Sequence, residues 1–148
     1  MYRLSVLSLC VAGLVSLEGC KKEKETAPKT SLLATRWLLV QVEETPIGVS
    51  SSSSSYRSYI EFSNRNTTAG LGPCNSFSGT FSQGSTAGQL SISQQASARA
   101  ACAATNLEDK YLNALPRTVR FEISDKELRL YDATNSLRPL LIFEDSTK

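Results

Sequence analysis

The apolar residues of this chain recur at a period of two in one short run after another, and turn-forming residues close each run. Leu38, Val40 and Val42 alternate with Leu39 and Gln41 behind Trp37, and Pro46 and Gly48 end that run. Tyr59-Ile60-Glu61-Phe62, then Leu90 with Ile92, then Val119, Phe121 and Ile123, then Leu128 and Leu130 repeat the pattern, and a last strand is expected over Leu137 to Phe143. Alternation places every second side chain on one face of an extended strand, so the chain is constrained to bury one face of a sheet. Ser124-Asp125-Lys126 joins two of the runs as a hairpin. From Asn64 to Gly88 the residues are mostly Gly, Ser, Asn and Thr, with Phe77 and Phe81 as isolated aromatics, which predicts short strands and tight turns. The serine run Ser50 to Ser55 buries nothing and is expected to be a loop.

One segment departs from this period. Thr105-Asn106-Leu107-Glu108 fits a capping box, in which the Thr hydroxyl and the Glu carboxylate satisfy free N–H groups at a helix start. Leu107, Tyr111, Leu112 and Leu115 then share one helical face, and Pro116 ends the helix, giving an expected span of about 106–115. Several strands, one helix and a closing meander make an antiparallel α+β fold with one core. That core is expected to unite Trp37, Phe62, Phe121 and Leu130 with Leu112 and Leu115.

The first thirty residues have a different character. Met1-Tyr2-Arg3 precedes an uncharged stretch from Leu4 to Leu17, the pattern of a secretory signal peptide. That stretch is shorter than the roughly twenty residues a membrane-crossing helix needs. Leu17-Glu18-Gly19-Cys20 resembles the lipobox of bacterial lipoproteins, although Glu18 stands where a small or apolar residue is usual. The expected organisation is therefore a signal peptide over 1–19, a lipid-bearing Cys20 with a charged tether over 20–30, and one domain over 31–148. A plain signal peptide, with Cys20 unmodified, is the alternative.

Charge and composition exclude several functions. Four of the lysines lie in the tether, and from Ser31 onward eleven basic residues balance eleven acidic ones. Such a domain lacks the basic footprint that nucleic-acid binding requires. The chain has no histidine, so no Ser-His-Asp triad, His-paired cysteine or His-containing zinc site can be assembled. No metal site or cofactor is expected. In an exported chain Cys74 and Cys102 remain as a pair, and an oxidising compartment favours a bridge over two buried thiols.

Gly72-Pro73-Cys74-Asn75-Ser76-Phe77-Ser78-Gly79-Thr80-Phe81, followed by Leu90-Ser91-Ile92, Ala101-Cys102 and the helical segment, resembles the META domain of HslJ-like lipoproteins. Thr35-Arg36-Trp37-Leu38-Leu39 and the strands around Leu128 and Phe143 match the ends of that family. The resemblance implies a small, partly closed antiparallel sheet or barrel with one helix packed across it, and no established catalytic activity. Within the motif Cys74-Asn75-x-Phe77-x-Gly79 each residue has a structural role open to it: Asn75 in a turn, Phe77 in the core and Gly79 at a positive φ. A ligand-contacting loop is the competing role.

Three functions follow. The leading expectation is a non-enzymatic domain, membrane-anchored through Cys20 in the bacterial cell envelope, at the outer membrane, with a binding or stress-related structural role toward an envelope protein or a small ligand. The second is a lipid or small-molecule carrier, because partly closed barrels can hold an apolar ligand. The third is a carboxylate hydrolase built from Glu61, Glu122 and Asp125.

Overall fold

The computed structural model describes residues 30–48 and 58–146. The expected signal peptide, Cys20, nearly all of the tether and the serine run lie outside the described residues. Among the described residues ten strands form: β1 (Arg36–Val42), β2 (Thr45–Pro46), β3 (Tyr59–Phe62), β4 (Thr67–Leu71), β5 (Ser76–Gln83), β6 (Leu90–Ile92), β7 (Ala96–Ser97), β8 (Arg120–Ser124), β9 (Glu127–Tyr131) and β10 (Leu141–Asp145). The helix α1 (Thr105–Ala114) and a following 3-10 turn, Leu115–Arg117, lie between β7 and β8.

All strand pairings are antiparallel, in the order β6-β5-β4-β3-β1-β10-β9-β8, with β2 on β1 and β7 on β5. The two ends of this order meet. Gln89 forms a bridge with Arg120, Leu90 N donates to Val119 O at 3.1 Å, and Phe121 N donates to Gly88 O at 2.7 Å. The sheet is thus nearly closed into a barrel, which leaves little unpaired edge. The α+β expectation of a partly closed sheet with one packed helix holds.

The interior is filled by side chains. Trp37, Ile60, Phe62, Leu90, Leu115, Leu128, Leu130, Leu141 and Phe143 are buried in one cluster, and α1 adds Tyr111 and Ala114 to it. Phe62 meets Phe81 edge to face at 5.1 Å, and Tyr111 meets Phe77 at 5.5 Å in the same manner, arrangements that aromatic quadrupoles favour.

Four expectations need correction. In β1 the buried residues are Trp37, Leu39 and Val42, while Leu38 and Val40 are half-buried. A register shift between Leu39 and Gln41 marks a β-bulge at Val40, and the extra residue inverts the facing of the strand partway along. The apparent alternation Leu38-Val40-Val42 thus runs across two facings. In α1 the buried line is Glu108, Tyr111 and Ala114, continued by Leu115 in the 3-10 turn, whereas Leu107 and Leu112 flank the core and are only partly buried. Phe121 is likewise partly buried, on β8 where the barrel closes. Finally, the last strand begins at Leu141, and Leu137, expected within it, is 89% exposed in the preceding turn. There Asn135 Oδ1 accepts the Leu137 and Arg138 N–H groups, at 3.0 and 3.1 Å, and holds the turn.

Candidate functional site

The motif segment Cys74-Asn75-x-Phe77-x-Gly79 forms the turn between β4 and β5 and the start of β5. Gly72 N donates to Asn75 O at 2.8 Å, which closes the turn. The N–H groups of Cys74 and Asn75 then point at one acceptor, the Glu108 carboxylate on α1. Cys74 N donates to Glu108 Oε2 at 2.8 Å, Asn75 N to the same oxygen at 2.7 Å, and Asn75 Nδ2 to Oε1 at 2.6 Å. The far side of the Asn75 amide pairs reciprocally with Ala100: Ala100 N donates to Asn75 Oδ1 at 3.0 Å, and Asn75 Nδ2 to Ala100 O at 2.9 Å. Asn75 and Glu108 are 7% and 4% exposed, so these bonds are largely shielded from water.

This network overturns the capping box. The residue before the helix is Ala104, and no side chain caps that end. The Thr105 hydroxyl instead bonds the preceding loop, accepting from Cys102 N at 3.0 Å and donating to Cys102 O at 2.8 Å. Glu108 turns away from its own helix start, because three donors on the β4–β5 turn compete for it. The carboxylate that sequence reasoning placed in a local cap is the hub of a contact between distant segments. Its signal was chemical: an acidic residue on the apolar face with Tyr111 and Leu115.

The small residues around the clamp follow from its geometry. A Cβ on Gly72 would lie 2.6 Å from Glu108 Oε2, and one on Gly79 would lie 2.5 Å from Gln95 Nε2. Gly79 is therefore small to admit the buried Gln95 amide, which accepts from Thr68 Oγ1 at 2.8 Å and donates to Ser93 O at 2.6 Å. The positive φ expected for Gly79 is not among the left-handed positions, where Gly88 is the glycine. Phe77 fills the core as expected.

Cys74 and Cys102 are joined by a disulfide with Cα atoms 5.9 Å apart. The bond staples the same two segments that Glu108 joins, the β4–β5 turn and the entry to α1. Closing a loop across 28 positions restricts the unfolded chain by about 3 to 4 kcal/mol in the chain-entropy account. Replacing both cysteines by alanine is expected to lower stability by about that amount, measured by urea unfolding. A midpoint unchanged from the parent protein would contradict it.

Burial pushes the Glu108 carboxyl pKa up, but the hydrogen bonds from the Asn75 side chain and from the Asn75 and Cys74 N–H groups outweigh it, and the value falls below the ordinary 4.5. A carboxyl with a depressed folded-state pKa contributes stability that is present above its ordinary value and is lost as pH falls through the folded value. Stability is therefore expected to decline as pH drops below 4.5, and Glu108→Gln should flatten that decline. The check is urea unfolding of both proteins across a pH series. Identical slopes would remove Glu108 from the acid response.

The carboxylates proposed for hydrolysis are dispersed. Glu61 on β3 is ion-paired with Arg36 at 2.6 Å. Glu122 on β8 pairs with Arg120 and accepts the Tyr131 hydroxyl at 2.9 Å. Asp125 occupies the β8–β9 hairpin turn with φ of 54°. Among the described residues no group of three or more Cys, Asp or Glu side chains could hold a metal ion, and no helix is long and apolar enough to cross a membrane.

A surface groove of about 1040 Å³ includes Thr30, Leu33, Arg36, Glu61, Phe62 and Asp145 in its wall. It lies at the end of the barrel where β1 and β4 begin and β10 ends. The Glu108 clamp, beside the turn that follows β4, is at the other end.

Comparison with known proteins agrees with this architecture. A solved NMR structure of a protein from Burkholderia xenovorans is similar, with a TM-score of 0.60 and 23% identity, over 79% of this chain and 85% of that one. A second NMR structure is similar with a TM-score of 0.54 and 22% identity, over 74% of this chain and 87% of the other. At these identities the likeness is one of fold. No curated protein matches the sequence. The META domain family model matches residues 30–146, which takes in the whole barrel, the helix and the clamp, and the chain therefore belongs to the META domain family.

Proposed function

We propose that this protein is a non-enzymatic domain, lipid-anchored through Cys20 in the bacterial cell envelope, at the outer membrane, and that it acts by binding an envelope protein or by a stress-related structural role. The observation that carries the non-enzymatic part is that the motif's polar groups satisfy one another. Asn75, Glu108 and the Cys74 and Asn75 N–H groups form a closed set around a structural contact, which favours the structural role of the motif over a ligand loop. The anchor rests on Leu17-Glu18-Gly19-Cys20 and the charged tether behind it. A disulfide between the two remaining cysteines suits an oxidising compartment.

Thr30 lines the groove, so the tether meets the domain at that end of the barrel. The ten or so residues from Cys20 to Thr30 can reach at most roughly 35 Å, which would keep the groove end of the domain within that distance of the bilayer. Cys20→Ser is expected to abolish incorporation of labelled fatty acid into the protein and to leave it unprocessed or soluble. Equal labelling of both proteins would refute the anchor.

A second reading, a carrier of a small ligand, draws on the groove itself. The barrel interior is occupied by side chains, so a ligand of this kind would sit against Leu33, Ala34 and Ala69 on the outside.

A further inference from the structure

We propose that the Cys74–Cys102 bond is a thiol–disulfide exchange site, entered at Cys74 by a thiolate of a small or protein dithiol and opened with Cys102 as the leaving sulfur. The assignment stands on geometry around the two sulfurs and does not depend on the lipid anchor.

Cys102 is exposed and Cys74 half-buried at the surface, so the bond is open to solvent and not sealed in the core. The two ends differ in their surroundings. Cys102 Sγ accepts the N–H of Ala104, the residue just before the helix, at 3.2 Å. A negative charge developing on that sulfur meets a backbone donor and the positive end of the helix dipole, both of which stabilise it. Cys74, in contrast, has its N–H on the Glu108 carboxylate at 2.8 Å, and a neighbouring anion disfavours charge on its sulfur. Exchange proceeds faster when the lower-pKa thiol leaves.

The chemistry then balances in two displacements. A thiolate of the dithiol attacks Cys74 Sγ, forming a mixed disulfide while the Cys74–Cys102 bond breaks and its electron pair goes to Cys102 Sγ. The second thiol of the reagent, after losing its proton, attacks the reagent sulfur of the mixed disulfide, and Cys74 leaves as a thiolate that takes up a proton. The dithiol is oxidised to a disulfide and the protein bond is reduced by two electrons. Throughout, Glu108 keeps its hydrogen bonds to the β4–β5 turn, so the helix remains docked while the staple is open. The site can therefore cycle between bridged and reduced forms without unfolding.

The test uses the full chain in detergent without denaturant. It is exposed to millimolar reduced glutathione, quenched with iodoacetamide, and mapped by peptide mass spectrometry, with far-UV circular dichroism in parallel. Glutathione on Cys74 with alkylated Cys102 should exceed the reverse arrangement by about threefold or more, while the dichroism stays that of the untreated protein. Failure to open the bond until denaturant is added, or an equal or reversed distribution of the adduct, would overturn the proposal.

Discussion

Replacing Glu108 by alanine is expected to lower the free energy of unfolding by about 3 to 4 kcal/mol, since it strands donors that the fold has buried around one carboxylate. Cys74 N and Asn75 N would lose their acceptor, and each buried group left without a partner costs about 1 to 3 kcal/mol. Asn75 Nδ2 is less affected, because it retains Ala100 O at 2.9 Å. Glu108→Gln is a milder change: its amide oxygen can still accept the two backbone N–H groups, but its NH₂ then faces Asn75 Nδ2. A loss of about 1 to 2 kcal/mol is expected there. Urea unfolding of the two variants beside the parent measures both values. Alanine and glutamine variants of equal, near-native stability would show that the carboxylate is dispensable.

Tyr111→Ala should be as costly, about 3 to 5 kcal/mol, because it empties the place where the helix meets the sheet. Tyr111 is fully buried, packed on Phe77 at 5.5 Å and on Phe143 at 6.2 Å. Its hydroxyl has no hydrogen-bond partner among the protein atoms, and burial raises its pKa well above the usual 10.0, so it stays protonated. Tyr111→Phe removes a desolvated hydroxyl and keeps the ring, and is expected to leave stability unchanged or raise it by up to about 1 kcal/mol. Leu112→Ala, at a flanking position, should cost only about 1 kcal/mol. A larger loss for Leu112→Ala than for Tyr111→Ala would place the wrong face of the helix against the barrel.

The contrast between Tyr111 and Leu112 shows where the sequence was informative. Both lie on an apolar stripe at helical spacing, and periodicity alone could not rank them, because the centre of the buried face is set by what the sheet offers opposite. A carboxylate on that stripe would ordinarily be assigned to solvent or to a cap. Only the β4–β5 turn, remote in sequence, supplies the donors that draw Glu108 inward. The fold class was legible because the strands are short, alternating and well punctuated. The bulge at Val40 was not, since one added residue leaves an apolar run apolar while it reverses which members face inward. β5, Ser76–Gln83, was hidden for another reason: Ser, Thr and Gly occupy its outward and closely packed positions, and only Phe77 and Phe81 mark the buried side. The disulfide was legible from the cysteine count together with the export pattern read in the first twenty residues.

The central claim, that the Cys-Asn-x-Phe-x-Gly motif is a clamp which holds the helix to the barrel through Glu108, is tested most directly by a double-mutant cycle on Asn75→Ala and Glu108→Ala. A clamp predicts that the two losses overlap, with an interaction energy of about 1.5 to 3 kcal/mol from the charge-assisted bond that Asn75 Nδ2 donates to Glu108 Oε1. Losses that add to within about 0.5 kcal/mol would mean that Asn75 and Glu108 act independently and that the clamp does not exist.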